Sequence, residues 1–212
     1  MPTPQQEHII FDSTPVALDK FFLKLKGAME ALEYNCDDGS TVTTLSLFDP
    51  NTIFLAAKRY SDADIFAREV YPIAKVAGGD WRDLRPNEDY KSTAFLYEHS
   101  PREYTQYQTK VKLDLSLVVS YQQQLLIPNL SYQMAERLQL MIVNTITNKL
   151  IGGNDTTLFT NRDMVFTDFD IKYFMPIFTN EFNHFRIRFK VEVKNDCIGD
   201  IVTFVKDGNT CY

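Results

Sequence analysis

The chain has 212 residues, 44% of them hydrophobic and 13% aromatic, and a formal net charge of −6 at pH 7. This composition excludes a disordered protein, and a chain of this length buries enough apolar surface to fold without disulfides. The negative charge lies in residues 1–100, whereas residues 101–212 carry equal numbers of acidic and basic side chains. A general attraction for nucleic acid or anionic membranes is therefore excluded, because it requires clustered cations.

Cysteine usage and the N-terminal sequence indicate the compartment. Cys36, Cys197 and Cys211 form no paired motif, which is typical of a reducing compartment. The sequence MPTPQQEHIIFDSTP lacks the basic and apolar regions of a signal peptide, and no apolar run reaches the length of a transmembrane helix. These features predict a soluble protein with a single domain, residues 1–212, that is made in a cytoplasm and has no membrane partner.

The N-terminal region is predicted to begin with an extended arm at residues 1–12 and to continue into an amphipathic helix. Thr14 is expected to cap this helix, and Pro15 suits its first position, where a backbone N–H is not needed. Apolar residues then recur at three- and four-residue spacing as far as Glu33. A turn in NCDDGS and a short strand in TVTTLSLF are predicted to follow.

Residues 48–100 are predicted to form an insertion with extra helices and a long loop. Asp49 is a candidate cap for one helix, and a second helix is expected to break near Pro72 and to end at Gly78-Gly79. A strand in TIFLAA is the alternative. The polar sequence DWRDLRPNEDY predicts a surface loop of the kind that often carries binding contacts.

The C-terminal half is predicted to contain a short strand in KSTAFLYE, a long strand from Tyr104 to about Tyr121, and a helix from a Ser131 cap to about Leu150. Two aromatic-rich strands, MVFTDFDIKYF and FNHFRIRFKVEVKN, and a tail at residues 205–212 are expected to follow. This order of elements predicts an α+β fold in which two main helices pack on one face of an antiparallel sheet.

Two rows of polar side chains on the predicted strands are candidates for contacts between subunits. One row lies opposite the apolar side of FRIRFKVEV, and the other lies on the long strand before it. The candidates are Arg186, Arg188, Lys190, Gln106, Gln108, Lys110 and Lys112. Because the N-terminal half is acidic, identical copies are predicted to associate head to tail through these rows. A solvated strand face is the alternative.

The sequence offers few candidates for chemistry. Asp168 and Asp170 would project from one face of a strand, as catalytic acids sometimes do, although alternation on a solvated face explains them equally well. The histidines His8, His99 and His184 lie far apart, and no metal, nucleophile or phosphate-binding motif occurs. We therefore predict no catalytic, cofactor-binding or metal-binding residues.

The order of elements resembles that of the tail-terminator and tail-completion proteins of tailed bacteriophages. The residues that carry the resemblance are the helix PVALDKFFLKLKGAMEAL, the strand and helix YQTKVKLDLSLVVSY and SYQMAERLQLMIVNTITNKL, and the hairpin MVFTDFDIKYF and FNHFRIRFKVEV. The resemblance implies a non-enzymatic subunit of a ring in the virion neck or tail, assembled in the bacterial host cytoplasm. Its partners would be further copies of itself, portal, connector or tail proteins, and, transiently, the DNA that passes through the ring.

The insertion at residues 48–100 departs from the pattern of that family, and two other classes of function stay open. One is a cytoplasmic α+β enzyme with a site near Asp168 and Asp170. The other is an adaptor for a small ligand or a partner protein, with a site in the loop at residues 78–103.

Overall fold

The computed structural model of the protein describes residues 8–9, 16–35, 41–43, 48–60, 70–76, 78–84, 90–104, 110–127, 132–148, 156–170, 174 and 182–194. These residues form a mixed α+β structure built around one large sheet. The three cysteines, the capping positions Thr14 and Ser131, and the predicted tail at residues 205–212 lie outside the described residues.

Both predicted long helices are confirmed. The helices are α1 (Val16–Glu30), α2 (Gln123–Leu126), α3 (Tyr132–Ile146) and α4 (Arg162–Val165). In α1 and α3 the buried side chains recur at the three- and four-residue spacing that the sequence shows, which is the pattern of a helix with one face in a core.

The strands are β1 (His8–Ile9), β2 (Glu33–Asn35), β3 (Thr41–Thr43), β4 (Ile53–Tyr60), β5 (Val70–Lys75), β6 (Trp81–Asp83), β7 (Ser92–Glu98), β8 (Glu103–Tyr104), β9 (Lys110–Gln122), β10 (Thr156–Phe159) and β11 (Phe182–Lys194). The main sheet has the order β10-β11-β9-β7-β4-β5-β6, with β1 on β4 and β8 on β9. Strands β2 and β3 pair separately. The neighbours β4 and β7 run parallel, so the prediction of an antiparallel sheet is wrong at that pair.

The predicted helices in the insertion are wrong for the residues that the structure describes there. Asp49 does cap a helical turn, with the Asn51 N–H donating to its carboxylate at 2.8 Å, but the turn is a 3-10 helix of three residues. The chain then enters β4, which is the alternative that TIFLAA left open. Pro72 lies inside β5, and Gly78 and Gly79 adopt positive φ in the turn to β6, a conformation that favours glycine.

The long strand begins later than predicted, because Tyr104 belongs to β8. This short strand pairs antiparallel with the start of β9, with Glu103 opposite Lys112 and Tyr104 opposite Val111. The chain therefore reverses direction between Tyr104 and Lys110. From Leu113 to Gln122 every residue of β9 is buried, which identifies β9 as a central strand with material on both faces.

The larger hydrophobic cluster joins residues of α1 and α3 to alternate residues of the central strands. It includes Phe21 and Leu25 of α1, Leu138 and Ile142 of α3, and Leu113, Leu115, Leu117, Phe185, Ile187 and Phe189 of the strands. The Phe21 and Phe189 rings lie 5.8 Å apart. A one-residue slip of β11 would turn its buried apolar residues outward, so this core fixes the register of the strand.

A second hydrophobic cluster covers the opposite face of the sheet. It contains Phe95, Tyr97 and Val118 of the strands and Val165, Phe166, Phe169 and Phe174 of the segment that begins with α4. The prediction of a strand in MVFTDFDIKYF is therefore wrong where that sequence is described. Phe166 and Phe169 enter the same cluster three residues apart, as in a helical turn, whereas a strand would have sent them to opposite faces.

Candidate functional site

A cluster of charged and polar side chains lies on this second face, with Asp168 at its centre. One oxygen of Asp168, Oδ2, accepts a hydrogen bond from the Tyr97 hydroxyl at 2.6 Å and one from Arg186 Nη1 at 2.8 Å. The same oxygen lies 2.8 Å from Nδ1 of His99. These four residues come from β7, the turn after β7, the turn after α4, and β11, so the cluster ties together elements distant in sequence.

The turn after α4 places Asp168 over the sheet. Asn161 caps α4 by accepting from the Asp163 N–H at 3.0 Å, and Phe166 and Phe169 anchor the turn on both sides of Asp168. The Asp170 N–H donates to the carbonyl oxygen of Val70 at 2.8 Å. Asp168 and Asp170 therefore do not stand side by side on a strand face, and the predicted geometry for a pair of catalytic acids is wrong.

Arg186 is the most buried charged residue in this cluster, with 2% of its surface exposed. Its guanidinium stacks on the Phe159 ring, with Cζ 4.4 Å from the ring centroid, and forms the ion pair with Asp168. Burying an arginine is costly unless a counterion and hydrogen bonds compensate for the lost water. The Asp168 carboxylate and the aromatic face of Phe159 provide much of this compensation, while Nε of Arg186 is buried with no hydrogen-bond partner among the described residues.

The electrostatics of the cluster favour an ionised Asp168. Burial by itself would raise the pKa of this carboxyl, but the Tyr97 hydrogen bond and the positive charge of Lys58 outweigh burial and hold the pKa below its usual range. Burial and the Asp168 charge raise the pKa of Tyr97, so the phenol stays protonated and donates. The cluster thus has a fixed set of donors converging on one anion.

A second ion pair lies beside the first. Arg188 Nε donates to Oδ1 of Asp114 at 3.0 Å, and Arg188 Nη2 donates to Oδ2 at 2.7 Å, which is the bidentate geometry of a strong pair. The Ser100 hydroxyl also donates to Oδ2 of Asp114 at 2.9 Å. Burial would raise the pKa of Asp114, but the hydrogen bonds from Arg188 and Ser100 hold it below its usual value.

These two ion pairs change the interpretation of the predicted polar row on β11, which includes Arg186, Arg188 and Lys190. Arg186 is enclosed within its own subunit, so the prediction that it meets a neighbouring copy is wrong. Arg188 is partly exposed and already paired with Asp114. Lys190 and Lys112 are exposed, and their role at an interface stays a prediction. Gln106 and Gln108 lie outside the described residues, and of Lys110 the structure describes the backbone in β9.

Lys112 and Lys190 line a cavity of about 340 Å³ at one end of the sheet, together with Glu103, Asp114 and Glu192. In the register of β9 and β11, Lys190 lies opposite Asp114 and Glu192 lies opposite Lys112. The surface here is therefore of mixed charge, since acidic side chains lie among the predicted lysines.

The helices carry a different kind of surface. Leu23 of α1 is 65% exposed and Leu140 of α3 is 54% exposed. Leu140 and Met141 line a groove of about 400 Å³ on α3, next to Arg137, Asn144 and Thr145. Single exposed leucines are ordinary, but a groove that includes one is a candidate contact site for another protein.

Sequence reasoning missed Tyr97, His99 and Lys58, because their partners lie far away along the chain. One signal was present in β9. On the side of β9 that faces the second hydrophobic cluster, the charged residues Lys112 and Asp114 are followed by Ser116, Val118 and Ser120. These residues are small or apolar and leave space for a covering layer. Phe166, Phe169 and Phe174 supply that layer.

In the described part of the chain, His, Cys, Asp and Glu side chains form no group of three or more that could hold a metal ion. None of the described helices combines the length and the apolar composition that crossing a membrane requires. Comparisons of the chain with protein-family models, curated proteins and solved structures found no match.

We predict that Arg186→Met lowers the free energy of unfolding by about 3 kcal/mol or more, since it leaves Asp168 without its buried counterion. The double variant Arg186→Met with Asp168→Asn is expected to recover part of this loss, with a coupling of about 1 kcal/mol or more. Urea denaturation at pH 7 measures both effects. Lys190→Met, on the same face of β11 but exposed, is the matched control and should change stability by less than about 0.5 kcal/mol. Equal effects of Arg186→Met and Lys190→Met would contradict the ion pair.

We also predict a loss of stability in mild acid through His184. Its Nδ1 lies 2.8 Å from the Ser120 hydroxyl, and its ring packs edge-on against Phe166. Burial, with a contribution from Arg162, lowers the pKa of His184 to about 4. The unfolded chain, with a histidine pKa near ~6.5, therefore binds this proton first, and the stability present above pH ~6.5 is lost as the pH falls toward 4.

The slope expected from His184 is up to about 1.4 kcal/mol per pH unit between pH ~6.5 and ~5. Urea denaturation at a series of pH values measures it. The variant His184→Gln keeps a hydrogen-bonding group toward Ser120 and should show a flatter dependence in this range. If the wild type and His184→Gln lose stability in parallel, the effect does not come from His184.

Proposed function

We propose that this protein is a structural, non-enzymatic subunit of an oligomeric ring in the head-to-tail connector or tail of a tailed bacteriophage. The ring would join neighbouring rings around the DNA channel, with portal, connector or tail proteins as partners and only transient contact with DNA. The subunit would be assembled in the bacterial host cytoplasm and reside in the virion.

The order and packing of the elements support this proposal. The chain runs from α1 through β4 and β7 to the long strand β9, continues into α3, and closes with β11. We propose further that α1 and α3 pack together on one face of the sheet, as the resemblance implies. In support, both helices contribute to the larger hydrophobic cluster, and Phe21 of α1 contacts Phe189 of β11.

The observation that carries the proposal is the apolar groove on α3. Leu140 is more than half exposed there beside Met141, and the rest of the lining is Arg137, Asn144, Thr145 and Asn148. In a ring each copy presents one surface to the next copy around the circle, so an apolar groove on one side meets a different surface of its neighbour. Burying the exposed half of Leu140 in such a contact would contribute about 1–1.5 kcal/mol.

The mixed-charge surface around Lys112 and Lys190 is a proposed second part of the contact. Both lysines are exposed, and Glu103 and Glu192 line the same cavity. Paired charges of both signs contribute more to orientation and partner choice than to affinity. This surface would therefore set the angle between neighbouring copies, while the apolar groove would supply most of the binding energy.

Assembly of the purified protein tests the proposal. We expect sedimentation and negative-stain electron microscopy to reveal rings of the wild type at micromolar concentration. Leu140→Lys should weaken the association by about tenfold to a hundredfold, because it removes the buried leucine and adds a charge. Far-UV circular dichroism should stay unchanged, since residue 140 lies on the outer side of α3.

Asp80→Asn is the matched control, because residue 80 is exposed in the turn before β6 rather than on α3, and the substitution also changes the net charge by one positive unit. It should assemble like the wild type. A wild type that stays monomeric at every concentration tested would overturn the proposal. Rings that form equally well with Leu140→Lys would exclude the groove as the contact.

A further inference from the structure

A cavity of about 340 Å³ lies beside the Asp168 cluster, at the end of the sheet where β4 and β7 meet the turn that follows β7. Its walls include Lys58 and Tyr60 of β4, Glu98 at the end of β7, His99 and Arg102 of the turn, and Tyr104 of β8. The volume is at the lower end of the range for small-molecule sites. The lining combines two tyrosine rings with two cations, Lys58 and Arg102, and one carboxylate, Glu98.

Within the part of the chain that the structure describes, Lys58 is the cation of this cavity that forms no direct ion pair with a carboxylate. Its Nζ lies 3.5 Å from the main-chain carbonyl oxygen of His99, a long hydrogen bond, and 5.2 Å from the centre of the Tyr97 ring. Among the described residues it forms no ion pair. An ammonium group has three donor hydrogens, so this arrangement leaves at least one directed elsewhere.

The charges around Lys58 are otherwise balanced. Arg102 Nε donates to the buried carboxylate of Glu98 at 2.6 Å, and Arg186 pairs with Asp168. Lys58 is partly buried, and burial lowers its pKa, opposed by the charge of Asp168. Lys58 is therefore a partly dehydrated lysine that has the Asp168 charge nearby but, among the described residues, no carboxylate in direct contact.

We propose that this cavity binds a single carboxylate group, which forms an ion pair with Lys58 while Tyr60 and Tyr104 contact the apolar body of the ligand. A monoanion is favoured over a dianion such as phosphate, because Glu98 and Asp168 lie close by and would repel a second negative charge. The carboxylate belongs either to a free organic acid or to the C-terminus of a peptide, since both present the same group.

This site is independent of the proposed ring. It lies on the sheet at β4, β7 and β8, whereas the groove for assembly lies on α3. Binding can be measured by equilibrium dialysis, which works for a monomer and for a large assembly alike. A failure of ring formation would therefore leave this proposal intact, and a failure of binding would leave the ring proposal intact.

The test uses benzoate as a probe and benzamide, its uncharged counterpart of equal shape, as the control. We expect benzoate to bind saturably, one molecule per chain, with a Kd of about 1 mM or tighter. Benzamide should bind at least about tenfold more weakly, because a charge-assisted hydrogen bond is lost. Equal binding of the two compounds, or no saturable benzoate binding, would overturn the proposal, and neither result depends on a variant.

Variants then assign the binding to Lys58. Lys58→Met should weaken benzoate binding by about tenfold or more, whereas Lys58→Arg should largely retain it. Lys75→Met, an exposed lysine on the neighbouring strand β5, is the matched control and should bind like the wild type. Undiminished binding by a folded Lys58→Met would contradict the assignment.

A tripeptide with a C-terminal phenylalanine carboxylate, compared with its C-terminal amide, distinguishes the two sources of the carboxylate. Tighter binding of the peptide acid than of benzoate would identify a peptide terminus as the ligand. Tighter binding of benzoate would identify a free acid. Binding of the peptide amide as tightly as the peptide acid would overturn recognition of the carboxylate.

Discussion

The buried Arg186 side chain imposes the constraint on which the second face of the sheet depends. A guanidinium in the middle of β11 cannot lose its water unless an anion reaches it, and Asp168 is that anion. Asp168 reaches Arg186 because the turn after α4 packs against β7 and β11. The same turn inserts Phe166 and Phe169 into the second cluster, so the ion pair and the apolar contacts require each other.

This arrangement redistributes the surfaces that remain for function. Arg186 and Arg188 form ion pairs with Asp168 and Asp114 of the same subunit. That part of β11 therefore does not present a row of unpaired cations. Apolar surface remains on α3, and Lys58 in the cavity at the end of the sheet has no carboxylate in direct contact among the described residues. We propose the first for assembly with further copies and the second for a small anion.

The sequence predicted those elements whose periodicity has one interpretation. Helices α1 and α3 and strand β11 follow clear three-to-four or two-residue patterns, and all three form as expected. Strands β4 and β5 were not predicted as strands. A short apolar run such as TIFLAA is compatible with a helix or a strand, and pairing with the neighbouring strands determines which of the two forms. The Asp168 cluster could not be predicted from the sequence, for another reason. Alternation along β11 separates Arg186 from the apolar side, but it does not say whether water or a second layer lies over it, and Tyr97 and His99 meet Asp168 only through the fold.

Amide hydrogen exchange of the wild-type protein tests most directly whether the turn after α4 is an integral layer of the fold. The Phe169 N–H donates to the Phe166 carbonyl at 2.9 Å, and the Asp170 N–H donates to the Val70 carbonyl at 2.8 Å. If Asp168 and the aromatic side chains hold this layer on the sheet, both amides should exchange with the same opening free energy as the amides of β9 and β11. Exchange at an opening free energy close to zero, while β9 and β11 stay protected, would contradict the account.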